Sequence, residues 1–408
     1  MWQNATIPAR MRLVHLSLTH FRNFTRLEAA FPPGTIVLVG DNAQGKTSLL
    51  EAVYYLAGAT SPHTSSARQL INFLTLREDR PFARLAADVE AHDRVHQIEI
   101  RILLEPVGPA RRPRLRKEIL IDHQKKRVRD LAGIFNAVLF LPQDMRIIEG
   151  SPGERRRFLD AALSQGDSAY ADALSRYGKV ISQRNALLRR LAEHGGDPAQ
   201  LQFWDGKLSH HAFTLIRLRA AALSQLEHIA AATHNRLTRK VETLRLAYRP
   251  SFYPSREADD PGNIPLDPSS FPEETVFLDH FRQALKDRRR EELARKTTVL
   301  GPHRDDFGFL SNGIDLTQYG SRGQNRTAML SMKLAEVEWL YRQRGEWPVL
   351  LLDEVLAELD LKRREDLLER IRDANQVLLT STDLAMFEPS FQANAAVWTL
   401  SQGTLNIS

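Results

Sequence analysis

The stretch Gly40-Asp41-Asn42-Ala43-Gln44-Gly45-Lys46-Thr47 fits the phosphate-loop pattern G-x-x-x-x-G-K-[ST], and its flanks supply the strand and helix that the pattern requires. Upstream, Thr35-Ile36-Val37-Leu38-Val39 is a short apolar run rich in β-branched residues. Downstream, Leu49, Leu50, Val53 and Leu56 recur at helical spacing. Gly40 and Gly45 let the backbone curl so that its N–H groups, and the helix start at Lys46-Thr47-Ser48, face an anionic phosphate. Lys46 adds positive charge and Thr47 a hydroxyl suited to Mg²⁺.

Composition narrows the surroundings of this loop. The chain has 408 residues, 42% hydrophobic, enough for at least one large core and for two or three domains. With 56 Lys and Arg against 50 Asp and Glu, the net charge of +6 favours contact with a polyanion. The chain lacks cysteine, which excludes disulfides, thiol nucleophiles and cysteine-ligated zinc. No apolar run approaches membrane-spanning length and the start does not resemble a signal peptide, so a cytoplasmic protein with no membrane partner is expected.

Residues 1–10 are polar and patternless, and a disordered lead is expected there. Val14, Leu16 and Leu18, then Leu27, Ala29 and Phe31, alternate with other residues and predict an antiparallel pair before the strand at 35–39. Strands over 83–90, 95–103 and 117–122 follow as a half-exposed meander. Around the last of these lie two basic clusters: Arg111, Arg112, Arg114, Arg116 and Lys117, then Lys125, Lys126, Arg127 and Arg129. Each is either a solvated loop or a contact to DNA.

Ser151-Pro152-x-Glu154 opens a helix with the composition of a capping box. Helical periods over 169–192 and 199–231, joined at Gly195-Gly196-Asp197-Pro198, predict a helical hairpin. A proline-rich loop follows over 250–273. The expected organisation is therefore an N-terminal α/β segment over 11–150, a helical lobe over 151–290, and a C-terminal segment over 291–408 that returns to strands. In the last segment Ser311-Asn312-Gly313 predicts a hairpin turn, and Pro348 to Leu352 a fully apolar central strand of a parallel sheet.

That strand closes on Asp353-Glu354. Ligands of open α/β sheets collect at the carboxyl ends of strands, so Asp353 is placed to share Mg²⁺ with Thr47. Glu354 points differently and is the candidate base that orients or deprotonates water, with Lys46 its catalytic partner on the phosphates. A second phosphate grip, Ser321-x-Gly323-Gln324, stands at a helix start: a hydroxyl, a glycine that admits backbone amides, and a helix dipole. One nucleotide has no obvious use for both grips.

These motifs together resemble the ATP-binding-cassette heads of SMC-like proteins, and more closely the RecF family. The resemblance rests on Phe21-Arg22-Asn23-Phe24, Gly40 to Thr47, Ser151 to Asp160, Gln183 to Leu188, Gly301-Pro302-His303-Arg304-Asp305-Asp306, Gly320 to Arg326, and Leu351 to Asp360. It implies an α/β fold, an ABC-type P-loop ATPase head with a mixed sheet, an antiparallel subdomain and an inserted helical lobe. It also implies that residues 40–48 and Arg22 bind ATP, and that Gln143 senses Mg²⁺ and the γ-phosphate. Ser321, Gly323 and Gln324 would complete the site of a second subunit, with Asp360 at the dimer seam. The implied activity is a slow, Mg²⁺-dependent ATPase that forms an ATP-dependent homodimer. The implied targets are duplex DNA and single-strand/duplex junctions, and the implied role, with RecR and RecO, is loading RecA on gaps. Glu354 stands where the family often has a second Asp, His63 where an Arg is expected, and Thr382 near the position of the transporter-type switch histidine.

Bland readings compete at several places. Arg155-Arg156-Arg157 is either a solvated helix face or a contact to DNA or Gln143. His303 to Asp306 resembles a metal or catalytic cluster, but an ion-pair turn with an architectural or interface role is expected there. His92 and His96 abut a strand, where their spacing does not make a helical metal pair. The rival functions are a transporter-energising ATPase subunit and a long-armed SMC-like head. The first normally uses the switch histidine, and the second requires sustained heptads.

Overall fold

The computed structural model describes residues 11–64, 66–105, 113–254, 270–358, 363–364, 367–368, 371 and 374–407. Residues 1–10, Arg111, Arg112, Asp360 and most of the proline-rich loop lie outside them. The chain divides into one unit of Met1–Gln143 with Glu336–Ser408 and a second of Asp144–Ala335.

In chain order the first unit begins with β1 (Arg12–Phe21), β2 (Phe24–Ala30), β3 (Gly34–Val39), α1 (Lys46–Gly58), β4 (Phe82–Ala91), β5 (Arg94–Glu105), β6 (Arg114–Ile121), β7 (Gln124–Lys126) and β8 (Ala137–Phe140). The second unit runs through α2 (Arg146–Glu149), α3 (Pro152–Gly166), α4 (Ser168–His194), α5 (Leu201–Leu237), β9 (Leu244–Arg249), α6 (Glu274–Asp287), α7 (Arg289–Arg295), β10 (Asp306–Ser311), β11 (Ile314–Asp315) and α8 (Leu316–Tyr319). Helix α9 (Arg322–Arg344) leads back to the first unit, which ends in β12 (Val349–Asp353), α10 (Val355–Glu358), β13 (Gln376–Ser381), β14 (Ala395–Ser401) and β15 (Thr404–Ile407).

Two sheets build the first unit. One has the order β15-β14-β3-β13-β12-β8, parallel from β14 to β8 with β15 antiparallel at the edge. Parallel neighbours cannot be joined by a tight turn, and here the connection from β8 to β12 is the whole second unit. The other sheet is antiparallel, β2-β1-β4-β5-β6-β7, and it takes the β1–β2 pair away from β3. Helix α1 is apolar almost all round, as a helix covered on every side must be. Leu49, Leu50, Val53, Tyr55 and Leu56 join residues of both sheets in one core, each at most 1% exposed. Its one buried acid, Glu51, is held by the Arg22 guanidinium through two hydrogen bonds of 2.7 and 2.8 Å.

In the second unit the expected helix start is present: Glu154 accepts the Ser151 N–H at 2.8 Å ahead of α3. The unit reaches further than the helical lobe expected over 151–290. It takes in a three-stranded sheet, β11-β10-β9, and the start of α9. Buried ion pairs link the sheet and the loop before it to the helices. Arg155 makes two bonds to Asp306, of 2.7 and 2.9 Å. Arg219 of α5 reaches Asp160 at 2.7 Å and Asp305 at 3.0 Å, and the Tyr248 hydroxyl donates to the same Asp305. Periodicity, which the expected boundary rested on, carries no trace of pairings over such sequence distances. Arg155 therefore is neither a solvated residue nor a contact to DNA or Gln143. Asp305 and Asp306 hold the architectural place expected of them.

A second network lies further along the hairpin. Arg184, with 0% exposure, binds Asp205 at 2.9 Å and both oxygens of Glu292 at 2.8 and 2.6 Å. A buried charge tolerates water-free surroundings only when paired, and removing one partner leaves the others uncompensated. Arg184→Ala should lower stability to urea by about 3–5 kcal/mol. A loss below about 1 kcal/mol, the size of a surface pair, would overturn this role.

Candidate functional site

Strand β3 delivers Gly40, and Gly45 caps α1 with φ +114°, in the left-handed region that glycine enters freely. Both glycines also admit close neighbours. A Cβ on Gly40 would lie 2.4 Å from the Leu400 carbonyl oxygen of β14, and one on Gly45 would lie 2.4 Å from Asn23 Nδ2. The Gln44 carbonyl accepts bonds from Asn23 Nδ2 and from the Gly403 N–H, each at 3.2 Å, so the β14–β15 turn and the β1–β2 turn clasp the loop. Asp41, Asn42 and Ala43 stay exposed at its tip, and Ser48 sits half-buried in the first turn of α1.

Lys46 is 4% exposed and folds back on the loop. Its Nζ donates to the carbonyls of Gly40 and Asp41 and pairs with Glu354 Oε1 at 3.1 Å. Asp353, at the end of β12, accepts the Thr47 hydroxyl on one oxygen and the Thr380 hydroxyl on the other, each at 2.8 Å. Glu354 follows with φ +53°, a left-handed conformation rare for a residue with a side chain, and its N–H donates to the same Thr380 Oγ1 at 2.9 Å. The twist separates two adjacent carboxylates: Asp353 faces Thr47, Glu354 faces Lys46. Thr380 was missed from sequence because a lone threonine ending a strand has no pattern.

Among the described residues no group of three or more His, Cys, Asp or Glu is placed to hold a metal ion. Thr47 and Asp353 nonetheless fit Mg²⁺, a hard cation that takes few protein oxygens and draws the rest of its shell from phosphates and water.

The expected flanking residues have partners of their own. Besides Glu51, Arg22 donates to the Gln69 carbonyl at 3.0 Å. Gln143, just beyond β8, meets His63 Nδ1 at 2.9 Å. Burial pushes the His63 imidazole below its ordinary pKa, which suits a ring nitrogen that accepts from an amide. Thr382 lies exposed just past β13.

The second grip belongs to the other unit. Ser321 and Gln324 form a capping box at the start of α9: the Gln324 N–H donates to Ser321 Oγ at 3.2 Å, and the Ser321 N–H donates to Gln324 Oε1 at 3.0 Å. Ser321, Arg322 and Gly323 are exposed. Gly320 is fixed by close approach, since a Cβ there would lie 2.6 Å from the Leu316 carbonyl oxygen.

The basic clusters do not form one open patch among the described residues. Lys117 is turned inward over the Tyr55 ring and donates to the Ala59 carbonyl at 2.7 Å, and burial lowers its pKa to about 8. Arg116 pairs with Glu105 and Glu118, and Lys125 with Glu118. Arg114, Lys126 and Arg127 are exposed. His303, which burial brings down to about 4, is held neutral between the Tyr177 hydroxyl and the Thr298 carbonyl.

A parallel sheet with a phosphate loop after β3, a carboxylate pair at the end of β12 two strands along, an antiparallel subdomain and an inserted lobe that carries the signature segment Ser321-Arg322-Gly323-Gln324 define an ABC-type P-loop ATPase head. The chain matches the family model of the RecF/RecN/SMC N-terminal domain over residues 12–406. It is 37% identical over 399 residues to the DNA replication and repair protein RecF of Heliobacterium modesticaldum, covering 98% of this chain and 100% of that one. With RecF of Chloroflexus aggregans it shares 39% over 410 residues, covering 97% and 99%. A solved structure of the recombination mediator protein RecF with ATP, in the RecFOR pathway, superposes with a TM-score of 0.83 at 29% identity over 100% of both chains. This chain belongs to the RecF family.

Thr380→Val keeps the shape of the side chain and removes both hydrogen bonds. Calorimetric titration with ATP should show Mg²⁺-dependent binding weakened about ten-fold, the worth of one bond to a charged group, and Mg²⁺-free binding unchanged. An unaltered Mg²⁺ requirement would remove Thr380 from the site.

Proposed function

We propose that this chain is an ATP-dependent DNA clamp of the RecF type, in which two copies close on two ATP molecules. The observation that carries the reading is the division of the two phosphate grips. Lys46, Thr47, Asp353 and Glu354 are gathered in one unit, whereas Ser321 presents an exposed hydroxyl from the other. Within one copy the first set is sufficient to hold a nucleotide. The second set is left for the nucleotide of a partner copy.

Lys46 would exchange Glu354 for the phosphates when ATP enters, since a triphosphate outbids one carboxylate for an ammonium. The freed Glu354 would then orient water toward the γ-phosphate. Thr47 and Asp353 would hold Mg²⁺, whose charge offsets that developing on the phosphoryl oxygens. Arg22 and Gln143 would adjoin the nucleotide from the β1–β2 turn and from the end of β8. DNA, duplex or at single-strand junctions, is supported by the net charge of +6 and by Arg114, Lys126 and Arg127. RecR and RecO as functional partners are supported by the RecFOR pathway in which the similar structure is placed, and loading of RecA is part of the same proposal. Among the described residues no helix is long and apolar enough to cross a membrane, and no observation favours the transporter-subunit reading.

Ser321→Arg fills the place of the partner's γ-phosphate with a large side chain. It should leave ATP binding to the monomer intact and abolish ATP-dependent dimers in sedimentation velocity runs; dimers formed by this variant would sink the two-copy site. For the DNA contact, affinity should fall steeply between 50 and 200 mM salt, by about ten-fold or more if a few phosphates are engaged. A flat salt response would exclude a phosphate-dominated interface.

A further inference from the structure

The capping box of Ser321 and Gln324 leaves the Gln324 amide nitrogen turned outward from the helix start. There it meets Glu242 Oε1 at 3.2 Å. Glu242 lies between α5 and β9. Its Oε2 accepts the Ser311 hydroxyl at 2.9 Å and meets His234 Nε2 at 3.1 Å, with His234 wholly buried and its Nδ1 against the Ser331 hydroxyl. Burial alone would raise the pKa of Glu242; the donors Ser311, Gln324 and His234 outweigh it and hold the carboxyl below its ordinary range. Burial pushes the His234 imidazole down. At neutral pH the pair is thus a neutral imidazole donating from Nε2 to a carboxylate.

The chemistry of that carboxylate sets the orientation of the glutamine. The two ends of an amide have nearly the same shape, and a flip would exchange the oxygen that accepts the Ser321 N–H for a nitrogen that repels it. A carboxylate only accepts, so it draws the Gln324 nitrogen to itself and keeps the oxygen on Ser321. The Ser321 oxygen in turn accepts from Gln324, which leaves the hydroxyl proton free to point away from the helix, as donation to a phosphate requires.

We infer that Glu242 is a positioning residue of the signature loop, which through Gln324 fixes the capping box that aims the Ser321 hydroxyl. His234 and Ser311 hold Glu242 in register. This rests on the reading of Ser321 as half of a partner copy's ATP site.

The test uses the full-length chain, with ATP affinity measured at concentrations where it is monomeric and ATP-dependent dimerisation measured by sedimentation velocity. Glu242→Leu should leave monomer ATP affinity unchanged and raise the dimer Kd about ten-fold or more, the scale of a lost bond to a charged group. Glu242→Gln offers one acceptor oxygen where three donors converge and an NH₂ that no longer discriminates the two ends of the Gln324 amide, so it should weaken dimerisation in the same direction as Glu242→Leu. Gln324→Glu sets two carboxylates together and should weaken dimerisation; adding Glu242→Gln exchanges the two groups and should restore it. That exchange also serves if Glu242→Leu does not fold. Normal dimerisation of Glu242→Leu, or no restoration in the exchanged pair, overturns the inference. If Ser321→Arg also dimerises, the partner-site reading itself has failed; if Ser321→Arg is monomeric and Glu242→Leu is not, only the role of Glu242 has.

Discussion

Two hydroxyls from distant parts of the chain meet on one carboxylate. Thr47, at the start of α1, and Thr380, at the end of β13, each donate to Asp353 at 2.8 Å. The site depends on this junction because it ties the phosphate loop to two neighbouring strand ends. It also depends on β3, β13, β12 and β8 standing parallel and in register, so that their carboxyl ends share one edge. Glu354 is part of the same device. Its left-handed turn, held by Thr380, gives two consecutive acids opposite partners, where an extended backbone would also have alternated them but without fixing the second on Lys46.

The second unit is organised by buried charge. Arg155, Arg184 and Arg219 are almost fully covered, and each is matched by carboxylates from elements remote in sequence. Such pairs contribute little over an apolar core of the same volume, but an unmatched member is costly, so they penalise any arrangement in which helices and sheet fail to meet correctly. This gives a physical reason for Arg155 and Asp160, for Arg184, and for Asp305 and Asp306. They are scaffold residues, although their charge invites a reading as ligand contacts.

The signature loop is held by the same logic at smaller scale. Its serine and glutamine satisfy the open end of α9 by bonding to each other, and the exposed serine hydroxyl is a by-product of that satisfaction. In the proposed two-copy site this matters because Ser321 Oγ serves the cap as an acceptor while its hydroxyl proton is left to donate.

Short-range chemistry was legible in the sequence. The phosphate loop, the helix after it, the capping composition at Ser151, the apolar β12 strand and the pair Asp353-Glu354 are contiguous runs, and each announces itself through spacing or residue type alone. Resemblance extended this to the family and to the fold class. What tertiary structure alone decided are pairings across long separations: Thr380 on Asp353, Glu51 under Arg22, Gln143 on His63, Glu242 on Gln324, and the inward turn of Lys117 out of an apparent basic cluster. The boundary of the second unit belongs with them, since it follows ion pairs between segments up to 151 residues apart. Periodicity reports which face of an element is buried, and it is silent on which distant residue lies against that face. That choice is made by packing, once the parallel sheet has brought both ends of the chain to one edge.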